Sequence, residues 1–169
     1  MPTDHAHDVP QLNSFLRSEL SAVETYEQAK LELAHDPDVT RTLAVCSASH
    51  RFCVELIRRE VRRLGGTPSI VSGIWGGFAT LLEGAGGAGR VVGRRATVVA
   101  LDRGEDYCHQ DYEYGLEALS PQTQNFVQRE VIPRQGHVHD LVRRLRQRLS
   151  TPLAVQGPSR QRANSTATA

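Results

Sequence analysis

Four polar side chains, Glu19, His50, Glu105 and His139, fall among the apolar positions of four predicted helices. The first three lie within apolar stripes, and His139 lies beside one. A carboxylate buried without a partner costs several kcal/mol. Two carboxylates and two imidazoles, one from each helix, could avoid that cost through mutual hydrogen bonds. They could also bind a single Fe, Mn or Zn ion, because these metals accept mixed oxygen and nitrogen ligands.

The elements that carry these side chains are predicted from apolar residues recurring every three to four positions. The predicted helices span about 11–34, 38–64, 92–119 and 122–149. Asp36-Pro37 and Ser120-Pro121 each place a capping residue before a proline, which is typical of a helix start. Gly65 to Pro68 form a helix stop. Pro133 and Gly136 predict a kink or local opening in the last helix.

The two short breaks force neighbouring helices to run antiparallel, and residues 65–91 form a long crossover with a short apolar helix. We therefore predict an all-α fold: a four-helix bundle of two antiparallel hairpins joined by one crossover, which is the ferritin-like connectivity. The bundle would occupy residues 11–149. Residues 1–10 are expected to be a flexible N-terminus, and residues 150–169 a disordered tail with almost nothing to bury.

Two short motifs resemble those of rubrerythrin-type ferritin-like proteins. Glu19, Ala22 and Tyr26 are similar to the E-x-x-A-x-x-x-Y of their first helix, and Gly104 to Tyr107 to the G-E-x-Y of their third. The resemblance implies metal ligands at Glu19, His50, Glu105 and His139. Ser47, Cys108 and Gly136 stand where that family has further glutamates. Because the bridging carboxylates are missing, the remaining ligands could bind one ion at most, and di-iron oxidation is not expected.

A longer resemblance covers about residues 11–149. The segments LNSFL, RRLGGTP and RGEDY, together with His139-Asp140, are similar to an uncharacterised bacterial family. That family is described as a ferritin-like four-helix-bundle domain of unknown function. The resemblance implies the fold and leaves the biochemical role open.

Composition narrows the classes of partner and compartment. The 20 basic and 19 acidic residues give a net charge of +1, so no nucleic-acid partner is expected. The odd number of cysteines, Cys46, Cys53 and Cys108, argues against a disulfide framework and fits a reducing cytoplasm. The N-terminal segment has no signal-peptide pattern. Cytoplasmic localisation is the expectation.

Several alternatives stay open at this stage. Cys53, Cys108 and His50 could form a zinc-type site, although small buried hydrophobes are the simpler interpretation. His137 could replace His139. The glycine-rich crossover around Trp75 could touch a membrane, but membrane contact is not expected because residues 65–89 carry no basic side chain. The arginines of the last helix form a solvated face or dock an acidic partner. A homodimer is expected by analogy with ferritin-like bundles.

Two functional hypotheses follow. In the first, the chain is a ferritin-like bundle that binds a single transition-metal ion through a reduced ligand set. In the second, it is a non-enzymatic structural or protein-interaction bundle, whose inward polar residues only specify packing. Neither hypothesis identifies a substrate, and the sequence gives no positive sign of an enzyme.

Overall fold

The computed structural model describes residues 7–73 and 93–150, and within these ranges the chain is helical with no strand. Helix α1 spans Asp8–Glu32, α2 spans Pro37–Arg63 and α3 spans Arg94–Leu116. The fourth bundle helix consists of α4 (Pro121–Phe126), a π-helical turn (Val127–Val131) and α5 (Ile132–Ser150). Most of the expected crossover helix, the expected tail after Ser150 and residues 1–6 lie outside the described residues.

Helix α2 begins and ends where its sequence signals predict. The Asp36 side chain accepts a hydrogen bond from the Val39 N–H at 3.2 Å, and Pro37 follows as the first helical residue. At the other end Gly65 has a φ of +77°, a left-handed conformation that glycine adopts without a Cβ clash. The Gly66 N–H then donates to the Val61 carbonyl at 2.9 Å and closes the helix end.

The fourth bundle helix starts differently from the prediction. Ser120 forms no side-chain cap of its own helix. Its N–H and hydroxyl both donate to the buried Asp8 carboxylate, at 2.7 and 2.6 Å, and the Thr123 hydroxyl donates to Asp8 at 2.6 Å. Asp8 therefore caps this helix from α1. The same contacts explain why α1 is helical from Asp8, within the stretch expected to be flexible.

Contacts between named residues fix the directions of the helices. Tyr26 bonds Glu105 while Tyr112 bonds Glu19, so α1 and α3 run antiparallel. Gly66 lies against Val9, which brings the end of α2 back to the start of α1. Helix α3 begins at the opposite end, where Arg94 pairs with Asp36 at 2.5 Å. The chain between α2 and α3 therefore connects opposite ends of the bundle.

The core is divided into two apolar clusters along the bundle axis. One surrounds Tyr26 and includes Leu43, Leu101 and Val142. The other surrounds Tyr112 and includes Phe15 and Ile57. The polar residues Glu19, His50 and Glu105 are buried between them. The four helices thus carry a polar layer at mid-length, enclosed by hydrophobic packing on both sides.

Candidate functional site

The centre of the polar layer is the imidazole of His50 on α2. Its Nδ1 lies 2.8 Å from Glu19 Oε2, and its Nε2 lies 3.1 Å from Glu105 Oε1. The two glutamates come from α1 and α3 and contact opposite nitrogens of one ring. All three side chains are at most 1% exposed. The structure therefore brings together three of the four side chains singled out in the sequence.

Two buried tyrosines complete the layer. Tyr26 donates its hydroxyl proton to Glu105 Oε1 at 2.6 Å, and Tyr112 donates to Glu19 Oε1 at 2.6 Å. Burial, followed by the charge of the adjacent glutamate, raises the pKa of each tyrosine well above its ordinary value of 10. Both phenols therefore stay protonated and serve as donors. The result is a continuous chain, Tyr112–Glu19–His50–Glu105–Tyr26, which we call the polar network.

The polar network keeps a proton on His50. Burial alone would lower the pKa of this imidazole, but the charges of Glu105 and Glu19 and the hydrogen bonds to both raise it to about 10. The imidazolium can donate from both nitrogens at once, one to each carboxylate. Charge-assisted bonds of this type compensate the cost of burying ionised groups. At neutral pH the cation between the two glutamates is thus the imidazolium itself.

The fourth bundle helix contributes Gln135, which the sequence analysis did not single out. The Gln135 amide donates to Glu105 Oε2 at 3.3 Å and to the Glu105 carbonyl at 3.3 Å. Its own oxygen lies 3.3 Å from Nδ1 of His109, a partly exposed residue of α3. Gln135 is only 1% exposed. The amide therefore joins the buried carboxylate to a side chain at the surface.

His139 lies outside the polar network, although the sequence grouped it with Glu19, His50 and Glu105. Its Nε2 contacts Asp106 Oδ1 at 2.8 Å, and Arg143 lies 3.3 Å from the same nitrogen. The ring is 6.0 Å from that of His109, centroid to centroid. Asp106 is the residue after Glu105 and points outward. His139, whose side chain is 13% exposed, therefore belongs to a separate cluster with the exposed Asp106 and Arg143, one helical turn beyond Gln135.

An internal repeat could have identified the tyrosines and Gln135 from the sequence. In both α1 and α3 a buried glutamate is followed seven positions later by a buried tyrosine, and the two tyrosines bond the glutamates reciprocally. His50 follows the capping Asp36 by fourteen residues, and Gln135 follows Ser120 by fifteen. The π-helical turn accounts for the additional residue. Gln135 is the counterpart of His50 in the second hairpin.

The three cysteines are buried, and none forms a disulfide. Burial, with a contribution from the charge of Glu105, raises the pKa of Cys46 to about 12, and burial raises that of Cys53 as well. Cys46 and Cys53 are therefore neutral thiols, not thiolate ligands, at neutral pH. The zinc-type combination of Cys53 and Cys108 with His50 would also need a nitrogen that His50 already directs at a glutamate.

The arrangement of these side chains does not meet the requirements of a metal ion. Across residues 7–73 and 93–150, no group of three or more His, Cys, Asp or Glu side chains is positioned to hold one. The cause is visible at His50, whose ring separates the two carboxylates. An ion bonded to either nitrogen would have to displace a proton and would meet only one of the glutamates. As arranged, Glu19 and Glu105 fit a protonated His50 imidazole between them and do not fit a metal ion.

Comparisons with known proteins add no family assignment. Neither protein-family models, nor curated proteins, nor solved structures gave a significant match to this chain. None of the helices in the described part of the chain combines the length and the apolar character that crossing a membrane requires.

Proposed function

We propose that this chain is a ferritin-like helical bundle whose buried site holds a proton in place of a metal ion. In this proposal it acts as a structural or protein-interaction module and not as an enzyme. The single observation that carries the proposal is the position of His50. Both of its nitrogens are bonded to glutamates, which leaves no lone pair for a ligand.

The ferritin-like assignment is supported by the helix directions. Helix α1 is antiparallel to both α2 and α3, and the chain between α2 and α3 connects opposite ends of the bundle. These are features of a bundle with one long crossover. The Glu–Tyr repeat in α1 and α3 further supports a bundle built from two related hairpins.

The role assigned to the polar network is to specify one helix register. Each of its hydrogen bonds joins two different helices, and shifting any helix by one residue would leave a buried carboxylate unpaired. An unpaired buried charge costs several kcal/mol, so alternative packings of the two apolar clusters are strongly disfavoured. Buried polar groups fix register in this way in coiled coils. A bundle with a unique, rigid surface is suited to protein interaction.

The competing hypothesis is a single Fe, Mn or Zn ion bound through His50 and one or both of Glu19 and Glu105. Its support is the pair of carboxylates adjacent to a buried imidazole. It requires His50 to lose its proton, so binding would release protons and strengthen as pH rises. His139 would take no part, because it lies with Asp106 at the surface.

Two measurements on untagged protein separate these hypotheses. Elemental analysis is expected to find iron, manganese and zinc well below one ion per chain. The ¹⁵N chemical shifts of His50 at pH 7 are expected to show protons on both ring nitrogens. About one ion per chain, lost in His50→Gln, together with a singly protonated His50, would overturn the proposal. His139→Gln is the matched control and should change neither result.

A further inference from the structure

The outer face of α2, opposite its core-facing stripe, carries exposed apolar side chains. Val45 is 49% exposed and Phe52 is 48% exposed. They lie seven positions apart, which is close to two helical turns, so they share one face of the helix. Ala48 lies between them and is also exposed. The Arg134 guanidinium lies 4.9 Å from the centre of the Phe52 ring and covers one side of it. The other side is open to a partner.

Two charged residues extend this face at the same spacing. Asp38 precedes Val45 by seven positions, and Arg59 follows Phe52 by seven. The Asp38 side chain is 82% exposed, and its ion pair with the equally exposed Arg41 is of a kind that contributes little. The exposed Arg59 guanidinium donates to a backbone carbonyl of its own helix at 3.3 Å. We name Asp38, Val45, Phe52 and Arg59 the α2 seam.

The α2 seam is acidic at one end, apolar in the middle and basic at the other end. Its midpoint falls between residues 48 and 49, so a second α2 turned end for end matches it position by position. Asp38 then meets Arg59 of the second copy, and Val45 meets Phe52 of the second copy. Two seams running in the same direction would instead place Asp38 against Asp38 and Arg59 against Arg59. The charges therefore select the antiparallel pairing.

We propose that the α2 seam is the contact surface between two copies of this chain. The copies pack antiparallel about a two-fold axis that passes between Ala48 and Ser49. Such an interface is isologous, because the same patch serves both partners. The inference rests on the proposed function in one respect: it identifies a second copy as the partner of the interaction module.

The geometry of the α2 seam suits helix packing. Residues seven apart fall about 20° short of two full turns, so the seam runs obliquely over the helix surface. Two helices packed along such seams cross at about 20°, a preferred angle for helix pairs. The short side chains of Ala48 and Ser49 at the midpoint allow close approach. The seam is roughly 32 Å long at ~1.5 Å per residue. One helix from each copy makes a small interface, so dimerisation should be weak and concentration dependent.

The first test exchanges the charges at the ends of the α2 seam. Asp38→Arg gives a copy with two basic ends, and Arg59→Asp gives a copy with two acidic ends. The measurement is sedimentation equilibrium of the full chain at low ionic strength over a range of concentrations. Each variant alone should have a dissociation constant at least about tenfold above wild type, because both end pairs become repulsive.

Mixing the two variants in equal amounts should restore association. Every end pair of the mixed dimer is again acidic against basic, so its dissociation constant should lie within about threefold of wild type. Both substitutions are at exposed positions, and circular dichroism checks that each variant is folded. Restoration between two different chains distinguishes an intermolecular contact from an effect of either charge on its own bundle.

The second test concerns the apolar middle of the α2 seam. Phe52→Asp should raise the dissociation constant at least about thirtyfold, because it places a charge in the centre of the interface. Tyr114→Asp is the matched control, since Tyr114 is an exposed aromatic residue of α3, 80% exposed and outside the seam. Its dissociation constant should stay within about twofold of wild type.

A wild-type chain that stays monomeric up to about 1 mM would overturn the inference. A dimer that Asp38→Arg and Arg59→Asp do not restore on mixing would overturn it as well, even if Phe52→Asp failed to fold. Equal effects of Phe52→Asp and Tyr114→Asp would also contradict it. The proposed function and this inference can fail separately. The metal content and the His50 shifts report on the buried site, while sedimentation reports on the α2 seam.

Discussion

The buried imidazole makes the stability of the bundle depend on pH in a defined direction. The pKa of His50 is about 10 in the folded protein, against an ordinary value of 6.5. A group whose pKa is higher in the folded state stabilises the fold fully below its unfolded pKa. That stabilisation is lost as pH rises through the folded pKa. We therefore expect the free energy of unfolding to fall between pH 6.5 and about pH 10.

The magnitude follows from the one additional proton that the folded state holds in this range. Stability should fall by about 1.4 kcal/mol for each pH unit, and by roughly 4 to 5 kcal/mol over the whole window. Cysteine thiols ionise near pH 9 in the unfolded chain, whereas the folded Cys46 has a pKa of about 12. The cysteine thiols therefore add to the fall in the free energy of unfolding at high pH. Between about pH 7 and 8.5 His50 dominates, and the expected loss there is about 2 kcal/mol.

The assay is urea unfolding followed by far-ultraviolet circular dichroism at constant ionic strength and several pH values. His50→Gln should be less stable at pH 7 by about 3 kcal/mol, because the buried glutamates lose their cation. Its stability should be nearly constant between about pH 7 and 8.5, since the titrating group is gone. His139→Gln should keep the wild-type slope. A flat wild-type profile, or an unchanged slope in His50→Gln, would refute the reasoning.

Three further substitutions concern the capping and packing of the helices. Asp8→Asn should lower the free energy of unfolding by about 1–3 kcal/mol in urea titrations, because a neutral amide replaces the carboxylate that accepts charge-assisted hydrogen bonds from Ser120 and Thr123. A change below about 0.5 kcal/mol would contradict the capping role. Gly115→Ala should destabilise by about 1–3 kcal/mol, since a Cβ would lie 2.5 Å from the Phe15 ring. Gly136→Ala, at a helical position with open space, should instead raise the free energy of unfolding by about 0.5–1 kcal/mol. Equal effects of Gly115→Ala and Gly136→Ala would refute the packing argument.

Local sequence signals account for the helices themselves. The capping of α2 by Asp36 and its termination at Gly65 depend only on groups within a few residues, so side-chain chemistry at those positions is sufficient. Local sequence signals are also sufficient to predict that Glu19, His50 and Glu105 point inward. Their place in the apolar stripes follows from a period of about 3.6 residues per turn.

Local signals failed where a partner lies far along the chain. Ser120 has the residue type of a cap but is itself held by Asp8, more than a hundred positions earlier. His139 has the type of a site residue, yet Gln135 occupies the site on that helix. Periodicity shows which face of a helix points inward, but it does not show which turn of one helix lies level with which turn of another.

The sequence alone therefore determined an all-helical chain with four stripes and three buried polar groups, because these follow from residue type and local geometry. The tertiary structure decided that the imidazole lies between two carboxylates, that two tyrosines join them reciprocally, and that Gln135 replaces His139. Those results depend on axial register, which the interhelical turns and the π-helical turn set together. The same register places the imidazole of His50 between Glu19 and Glu105 at the centre of the bundle, where its pKa is raised to about 10.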